Sequence, residues 1–125
     1  MTKLFAIISC AFLAIGTAFA GQDISVKELA KAIEAKNVIV IDVNGTASYK
    51  QGHIPTAIDF QKTKDLAKVL PENKDALIVA YCGGPKCGAH AKATVAAKKL
   101  GYTNVKHLSA GKSGWKAAEQ KLEKS

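Results

Sequence analysis

Apolar residues alternate along this chain between short β-branched runs and longer segments with helical spacing. The runs at 38–41 and 77–81 are continuously apolar, which is typical of strands buried on both faces of a sheet. Shorter runs at 57–60 and 105–108 predict two further strands. Because helical segments separate these runs, the pattern predicts an α/β fold with a parallel sheet and helices on both faces.

The predicted helices have recognisable ends. Ser25 and Glu28 have the spacing of a capping box, and the helix after them carries Leu29 on its apolar face. Gly101 stands at the end of another helix, in the position where chains commonly turn into a left-handed residue. After the capping-box helix, the further helices are expected at 46–50, 66–70, 89–100 and 114–124.

The first 20 residues differ in composition from the rest of the chain. A lysine precedes an apolar stretch from 4 to 19, and Ala18 and Ala20 give a small-x-small pattern. This order predicts a secretory signal peptide at 1–20 and a single domain at 21–125. We therefore expect an exported protein of the periplasm, without membrane contact once the signal is removed.

The positive charge of the chain comes from lysine alone. The 18 basic residues are all lysines, and with 10 acidic residues they give a formal net charge of +8. They are dispersed rather than arranged as a stripe, and arginine, which makes bidentate contacts to bases and phosphates, is absent from the sequence. The composition therefore argues against a nucleic-acid partner, whereas the charge attracts small anions to an open site.

Cys82 lies where a fold can hold a reactive thiolate, directly after the apolar run 77–81. Ligands bind at the carboxyl ends of parallel strands. Backbone amides of the turn and the start of the next helix are expected to lower the pKa of this thiol, and the thiolate is the nucleophile. The loop consists of Gly83, Gly84, Pro85, Lys86, Cys87 and Gly88.

Several polar residues accompany Cys82. A disulfide to Cys87 would close a very short loop and add little stability, so the pair indicates chemistry rather than a structural crosslink. His90 is expected in the first turn of the helix, where it supports Cys82 by lowering its pKa. With the two cysteines it lacks the fourth ligand of a structural zinc site, so no metal is expected. Asp42 either orients groups near the site or caps its own turn, and His107 is interpreted as a packing residue.

The order of motifs resembles a single-domain rhodanese, a family of sulfurtransferases that carry sulfur as a cysteine persulfide. The segment 41–57, with its Asp-Val pair and Gly-His-Ile-Pro-Thr-Ala stretch, is similar to the first motif of the family. The segments 81–88, 100–105 and 110–115 are similar to the active-site loop, the segment after the active-site helix and the closing motif. The resemblance implies a rhodanese-like fold with a central, mostly parallel sheet of about five strands.

The resemblance also implies a mechanism. Cys82 attacks the outer sulfur of a small anionic donor of the thiosulfate or polysulfide class and becomes a persulfide, which the amides from Gly83 to Gly88 cradle. A small thiol, cyanide or a protein thiol then accepts the sulfur. No cofactor is required.

Three positions depart from the family pattern. Gly88 stands where members often carry serine or threonine. Asn44 and Cys87 stand where members often carry arginine, which leaves Lys86 as the cation of the loop. Without arginine, the phosphate cradle of phosphatases that share this fold is incomplete, and a phosphatase is disfavoured.

The role of Cys87 stays open among three interpretations. In the first, Cys87 attacks the Cys82 persulfide, and in the second it forms a reversible redox pair with Cys82. In the third, it only packs as a small residue. The alternatives to a sulfurtransferase are a sulfur-carrier or binding module without turnover and a thiol–disulfide redox protein that uses both cysteines.

Overall fold

A five-stranded parallel sheet forms the centre of the molecule. The computed structural model describes residues 22–84 and 86–125, so the predicted signal peptide at 1–20 lies outside the described residues. The strands are β1 (Gln22–Asp23), β2 (Val38–Asp42), β3 (Ile58–Asp59), β4 (Leu77–Tyr81) and β5 (Val105–Leu108), in the spatial order β1-β5-β4-β2-β3. The predicted fold class is confirmed.

The helices cover both faces of this sheet. They are α1 (Val26–Glu34), α2 (Thr46–Gln51), α3 (Leu66–Val69), α4 (His90–Lys99) and α5 (Gly111–Ala117), with a short 3-10 helix at Phe60–Lys62. Side chains of β4 alternate between two cores, because successive residues of a strand point to opposite faces. Val79 and Tyr81 pack on the face with Leu29 and Trp115, which come from α1 and α5. The core of the other face contains Ile78, Ala80, Leu66, Ala93 and Ala97.

Two helix ends form as the sequence predicts. Ser25 Oγ accepts the Glu28 N–H at 3.0 Å, and the Glu28 carboxylate accepts the Ser25 N–H at 3.1 Å. At the end of α4, Gly101 has a φ of +99°, its N–H donates to the Lys98 carbonyl, and the next N–H donates to Ala97. This is a Schellman motif, and it directs the chain from α4 into β5.

The predicted bounds of two elements are wrong. The strand expected at 57–60 is limited to Ile58–Asp59, because the Asp59 carboxylate accepts the Gln61 N–H and starts the 3-10 helix. The helix expected at 114–124 is instead α5, which begins earlier, at Gly111, and ends at Ala117. Beyond it the chain turns at 118–119, and Glu123 pairs with His53 through two backbone hydrogen bonds of 2.8 Å.

The pattern of apolar residues also missed β1. This strand has two exposed residues and pairs with β5 alone, so it carries no apolar signal. Within residues 22–84 and 86–125, none of the helices has the length and apolar character that crossing a bilayer requires.

Candidate active site

Cys82 follows the last residue of β4, in the middle of the sheet, and only 1% of it is exposed. The start of α5 holds the backbone of this loop. The Lys112 N–H donates to the Cys82 carbonyl, and the Ser113 N–H donates to the Gly83 carbonyl, both at 2.8 Å. The nucleophile candidate is therefore fixed by β4 on one side and by α5 on the other.

Gly111 allows this close approach. Its φ is +67°, a left-handed conformation that side chains rarely adopt. A Cβ at this position would lie 2.6 Å from the Gly84 nitrogen and 2.7 Å from the Gly83 carbonyl carbon. The glycine of the closing motif is thus required by the contact between α5 and the loop.

Backbone amides reach the sulfur of Cys82 from the start of α4. The His90 N–H donates to Cys82 Sγ at 3.0 Å, and the Ala89 amide also lowers the pKa of this thiol. The Gly83 amide lowers the pKa of Cys87 instead. The amides that contact Cys82 in the described part of the chain therefore lie just beyond the loop in which the cradle is predicted.

The remaining loop residues lie around this centre. Gly84 contacts α5, Lys86 is exposed, and a Cβ at Gly88 would have no neighbour within 4 Å. Pro85 lies outside the described residues. The role of the loop in substrate binding stays a prediction.

The two cysteines are free thiols, and each side chain shifts the pKa of the other. Burial, followed by the hydrogen bond and the charge of Cys87, raises the pKa of Cys82 to about 12. The hydrogen bond from Cys82, together with the Ala89 and Gly83 amides, lowers the pKa of Cys87. The expectation of a lowered pKa at Cys82 is therefore wrong for the reduced pair, in which the first negative charge resides on Cys87.

His90 lies beside the thiol pair, as predicted from its place in the first turn of α4. Its Nδ1 is 3.7 Å from Cys82 Sγ, and its ring stacks on that of His107. Burial and the neighbouring His107 lower the pKa of His90, so its ring is neutral near pH 7. Sequence reasoning missed the contribution of His107, because chain order does not show that β5 lies next to β4.

Asp42 stabilises the end of β4 rather than the sulfur. Its buried carboxylate accepts the Tyr81 hydroxyl at 2.5 Å and the Asn44 N–H at 2.7 Å. The Tyr81 hydroxyl in turn accepts the Ile54 N–H at 2.9 Å. Asp42 therefore caps its own turn, as one interpretation predicts, and positions the residue that precedes Cys82. Burial, followed by the hydrogen bond to Asp42, raises the pKa of Tyr81.

Two further polar residues border the loop. A Cβ at Gly83 would lie 3.5 Å from the Asn44 side-chain oxygen, and the Asn44 Nδ2 is buried without a hydrogen-bond partner among the described residues. Lys112, which sequence reasoning missed, donates through Nζ to the Ser48 carbonyl at 3.2 Å and hydroxyl at 3.1 Å. Its place directly after Gly111 in the closing motif is the signal that could have identified it. Lys112 is thus a second cation near the loop, besides Lys86, and its backbone N–H is hydrogen-bonded to the Cys82 carbonyl.

No group of three or more histidine, cysteine or carboxylate side chains within 22–84 and 86–125 has the geometry to hold a metal ion.

Comparison with known sequences identifies the domain. A family model described as "Rhodanese-like domain" matches residues 25–118. A tRNA uridine(34) hydroxylase of Staphylococcus epidermidis is 34% identical over an alignment of 98 residues that covers 73% of this chain and 30% of that protein. The chain spans about a third of the length of the curated relatives that it matches.

Solved structures give the same result for the fold. A crystal structure of a Bacillus halodurans protein has a TM-score of 0.72 at 29% identity, covering 90% of this chain and 83% of that chain. Thiosulfate sulfurtransferase from Pseudomonas aeruginosa has a TM-score of 0.66 at 25% identity, covering 84% of this chain and 20% of that one. The fold, the position of the Cys82 loop and the match over 25–118 together show that this chain belongs to the rhodanese-like domain family.

Proposed function

We propose that this protein is a sulfurtransferase that carries sulfane sulfur as a persulfide on Cys82. The observation that carries the proposal is the position of Cys82 at the end of the central strand, with the His90 N–H donating to its sulfur at 3.0 Å. An amide at this distance stabilises negative charge on the sulfur at the start of a helix. The fold shared with a thiosulfate sulfurtransferase supports the same chemistry.

The reaction has two half-steps that use one covalent intermediate. Cys82 attacks the outer sulfur of the donor, the bond between that sulfur and the rest of the donor breaks, and the leaving group departs with the electron pair. An acceptor such as a thiol or cyanide then attacks the outer sulfur of the persulfide and releases Cys82. Amides of Ala89 and His90 stabilise the negative sulfur in both half-steps.

A small anionic donor suits the charges around the loop. Lys86 is exposed on the loop, and Lys112 extends from the start of α5 to Ser48. These ammonium groups attract an anion of the thiosulfate or polysulfide class without the bidentate geometry of arginine. The match to tRNA uridine(34) hydroxylases covers 30% of such a relative, and that activity is not part of the proposal.

The proposal includes the cellular location of the protein. Residues 1–20 have the composition of a secretory signal, which would deliver the domain at 21–125 to the periplasm. Sulfur donors and acceptors are then small molecules or protein thiols of that compartment.

A second candidate function is favoured by the effect of the two thiols on each other. Cys82 and Cys87 are both free, and the Cys82 side chain lowers the pKa of Cys87. A thiol–disulfide redox protein would use the Cys87 thiolate to attack an external disulfide, and Cys82 would then displace the external thiol. The protein would end oxidised at the pair, and the external disulfide would end as two thiols.

Intact-protein mass spectrometry separates the two functions. Reduced protein treated with thiosulfate or polysulfide is expected to gain one sulfur atom, and this gain is expected to be retained in Cys87→Ser and lost in Cys82→Ser. A loss of two hydrogens in place of this gain would support the redox function. If neither donor adds sulfur to protein whose circular dichroism shows an intact fold, the sulfurtransferase proposal is refuted.

A further inference from the structure

Three titratable side chains form a line that starts at the sulfur of Cys82. His90 Nδ1 is 3.7 Å from Cys82 Sγ. The His90 ring stacks on His107, with the ring centroids 4.5 Å apart and the planes inclined by 12°. His107 Nε2 lies 4.0 Å from an oxygen of the Asp23 carboxylate. The line ends at β1, at the edge of the sheet, and the persulfide chemistry proposed for Cys82 does not use His107 or Asp23.

The order of the strands creates this arrangement. His107 of β5 is paired with Ala80 of β4 on one side and with Asp23 of β1 on the other. The Asp23 carboxylate also accepts the Ser109 N–H at 2.8 Å, which fixes its position. The short strand β1 therefore has a definite effect on the site, because it brings a carboxylate to the histidine pair.

The surroundings of His90 make its ring a base that can be protonated transiently. Burial and the His107 ring lower the pKa of His90. A hydrogen bond to the Cys87 backbone and the charge of the Asp23 carboxylate act in the opposite direction, because both favour the imidazolium. Cys82 needs such a base, because burial and its contact with Cys87 keep it in the thiol form at neutral pH.

We propose that His90 is the proton acceptor for Cys82 during sulfur transfer, and that His107 and Asp23 are positioning residues. His107 orients the His90 ring by stacking on it, and Asp23 holds His107 and favours the protonated His90 ring by its negative charge. The proposal rests on the sulfurtransferase function above. With His90 as the proton acceptor, the buried thiol of Cys82 can react without ionising first.

Both half-reactions balance with one proton moving through His90. In the first, the S–H bond of Cys82 breaks, the proton goes to Nδ1, and the sulfur forms a bond to the outer sulfur of the donor. The leaving group, which is sulfite when thiosulfate is the donor, departs with the electron pair and takes the proton. In the second, an acceptor thiol gives its proton to His90 as it attacks the persulfide, and Cys82 recovers a proton on release.

A proton acceptor at this position determines the pH dependence of loading. With His90 as the base, the rate is expected to be constant from neutral to mildly alkaline pH and to fall as His90 becomes protonated at acidic pH. Without it, the rate follows the thiolate fraction of Cys82 and rises tenfold per pH unit below the thiol pKa.

The test compares His90→Gln with the parent protein, both carrying Cys87→Ala so that Cys82 is the thiol that titrates in the loop. His90→Gln retains the backbone N–H that contacts Cys82. Single-turnover loading by thiosulfate, followed by sulfite release, is expected to slow by about 10²-fold at pH 7 and to acquire the tenfold rise per pH unit. His107→Phe retains a stacked ring without the link to Asp23, and an intermediate loss of about tenfold is expected.

His53→Gln is the matched control, because this third histidine contacts Tyr49 and Glu123 instead. Its pH profile is expected to keep the shape of the parent profile. A flat profile and less than a twofold loss in His90→Gln would overturn the proposal.

Alkylation of Cys82 by iodoacetamide provides a readout that does not need sulfur transfer. The same difference in pH profile between the parent and His90→Gln is expected. If no protein loads sulfur but this difference persists, the sulfurtransferase proposal fails while the role of His90 as a base stands. Coinciding alkylation profiles, or a His90→Asn variant that behaves as the parent, would refute the role of His90.

Discussion

Replacing Gly111 with alanine is expected to damage both stability and sulfur loading, because Gly111 is the point at which α5 touches the Cys82 loop. The new Cβ would lie 2.6 Å from the Gly84 nitrogen and 2.7 Å from the Gly83 carbonyl carbon. Both neighbours are backbone atoms, so they cannot rotate away as a flexible side chain would. Relief requires α5 and the loop to separate, which strains the hydrogen bonds that join the Lys112 and Ser113 amides to the carbonyls of Cys82 and Gly83.

Two contributions determine how far the free energy of unfolding of Gly111→Ala is expected to fall. A φ of +67° costs a residue with a Cβ about 1–2 kcal/mol. The added methyl group in a packed contact costs about 1–3 kcal/mol more. Together, the free energy of unfolding of Gly111→Ala is expected to fall by about 2–5 kcal/mol.

Substitutions at two other glycines separate the backbone strain from the cost of the packed methyl group. Gly101 has a φ of +99°, but a Cβ there would approach only Lys74 side-chain atoms, at 3.9 Å or more. Gly101→Ala is therefore expected to lose about 1–2 kcal/mol through strain alone. Gly88 has open space around it, and Gly88→Ala is expected to change the free energy of unfolding by about 0.5 kcal/mol or less.

The assay is urea unfolding of the three variants, with single-turnover sulfur loading measured for Gly111→Ala and Gly101→Ala. Loading is expected to be impaired in Gly111→Ala and normal in Gly101→Ala, because only the former displaces the loop. Equal stability of these two variants, together with normal loading in both, would refute the reasoning about the contact between α5 and the loop.

Two further substitutions test the surroundings of Cys82. Tyr81→Phe leaves the buried Asp42 carboxylate and the Ile54 N–H without this hydroxyl, and the free energy of unfolding is expected to fall by about 2–5 kcal/mol. In the control Tyr49→Phe, which loses one half-buried hydrogen bond, the fall is about 1 kcal/mol, and equal losses in urea unfolding would contradict this account. In the His90→Gln background the alkylation rate follows the thiolate fraction of Cys82, and Cys87→Ala removes a hydrogen bond and a charge that raise the pKa of this thiol. Iodoacetamide is therefore expected to alkylate Cys82 at lower pH in the double variant than in His90→Gln alone. An alkylation profile of Cys82 that stays in place or moves to higher pH would show that Cys87 does not suppress its ionisation.

Local sequence patterns predicted the parts of the fold that depend on local physics. The apolar runs gave β2 and β4, because strands buried on both faces need continuous apolar residues. The Ser25 capping box and Gly101 predicted helix ends correctly, because their hydrogen bonds join residues that are close in sequence. The position of Cys82 after a buried strand and before a helix was apparent for the same reason.

Features that depend on distant contacts were not predictable. The start of α5 was missed, because Gly111 and Gly114 weaken a helical pattern and their value lies in packing against another segment. The direction of the Cys82 pKa shift depends on burial and on the position of the Cys87 side chain. The approach of His107 to His90 required the strand order, which brings β5 beside β4.

The most direct test of the central claim is to locate the transferred sulfur within the loop of the wild-type protein. Trypsin cleaves after lysine, so Cys82 and Cys87 separate into the peptides 75–86 and 87–92. Reduced protein is loaded once with thiosulfate or polysulfide, alkylated at once to prevent exchange, digested and analysed by mass spectrometry. The additional sulfur is expected on peptide 75–86, as an alkylated persulfide of Cys82. Its appearance on peptide 87–92, or on neither peptide, would contradict the assignment of Cys82 as the sulfur carrier.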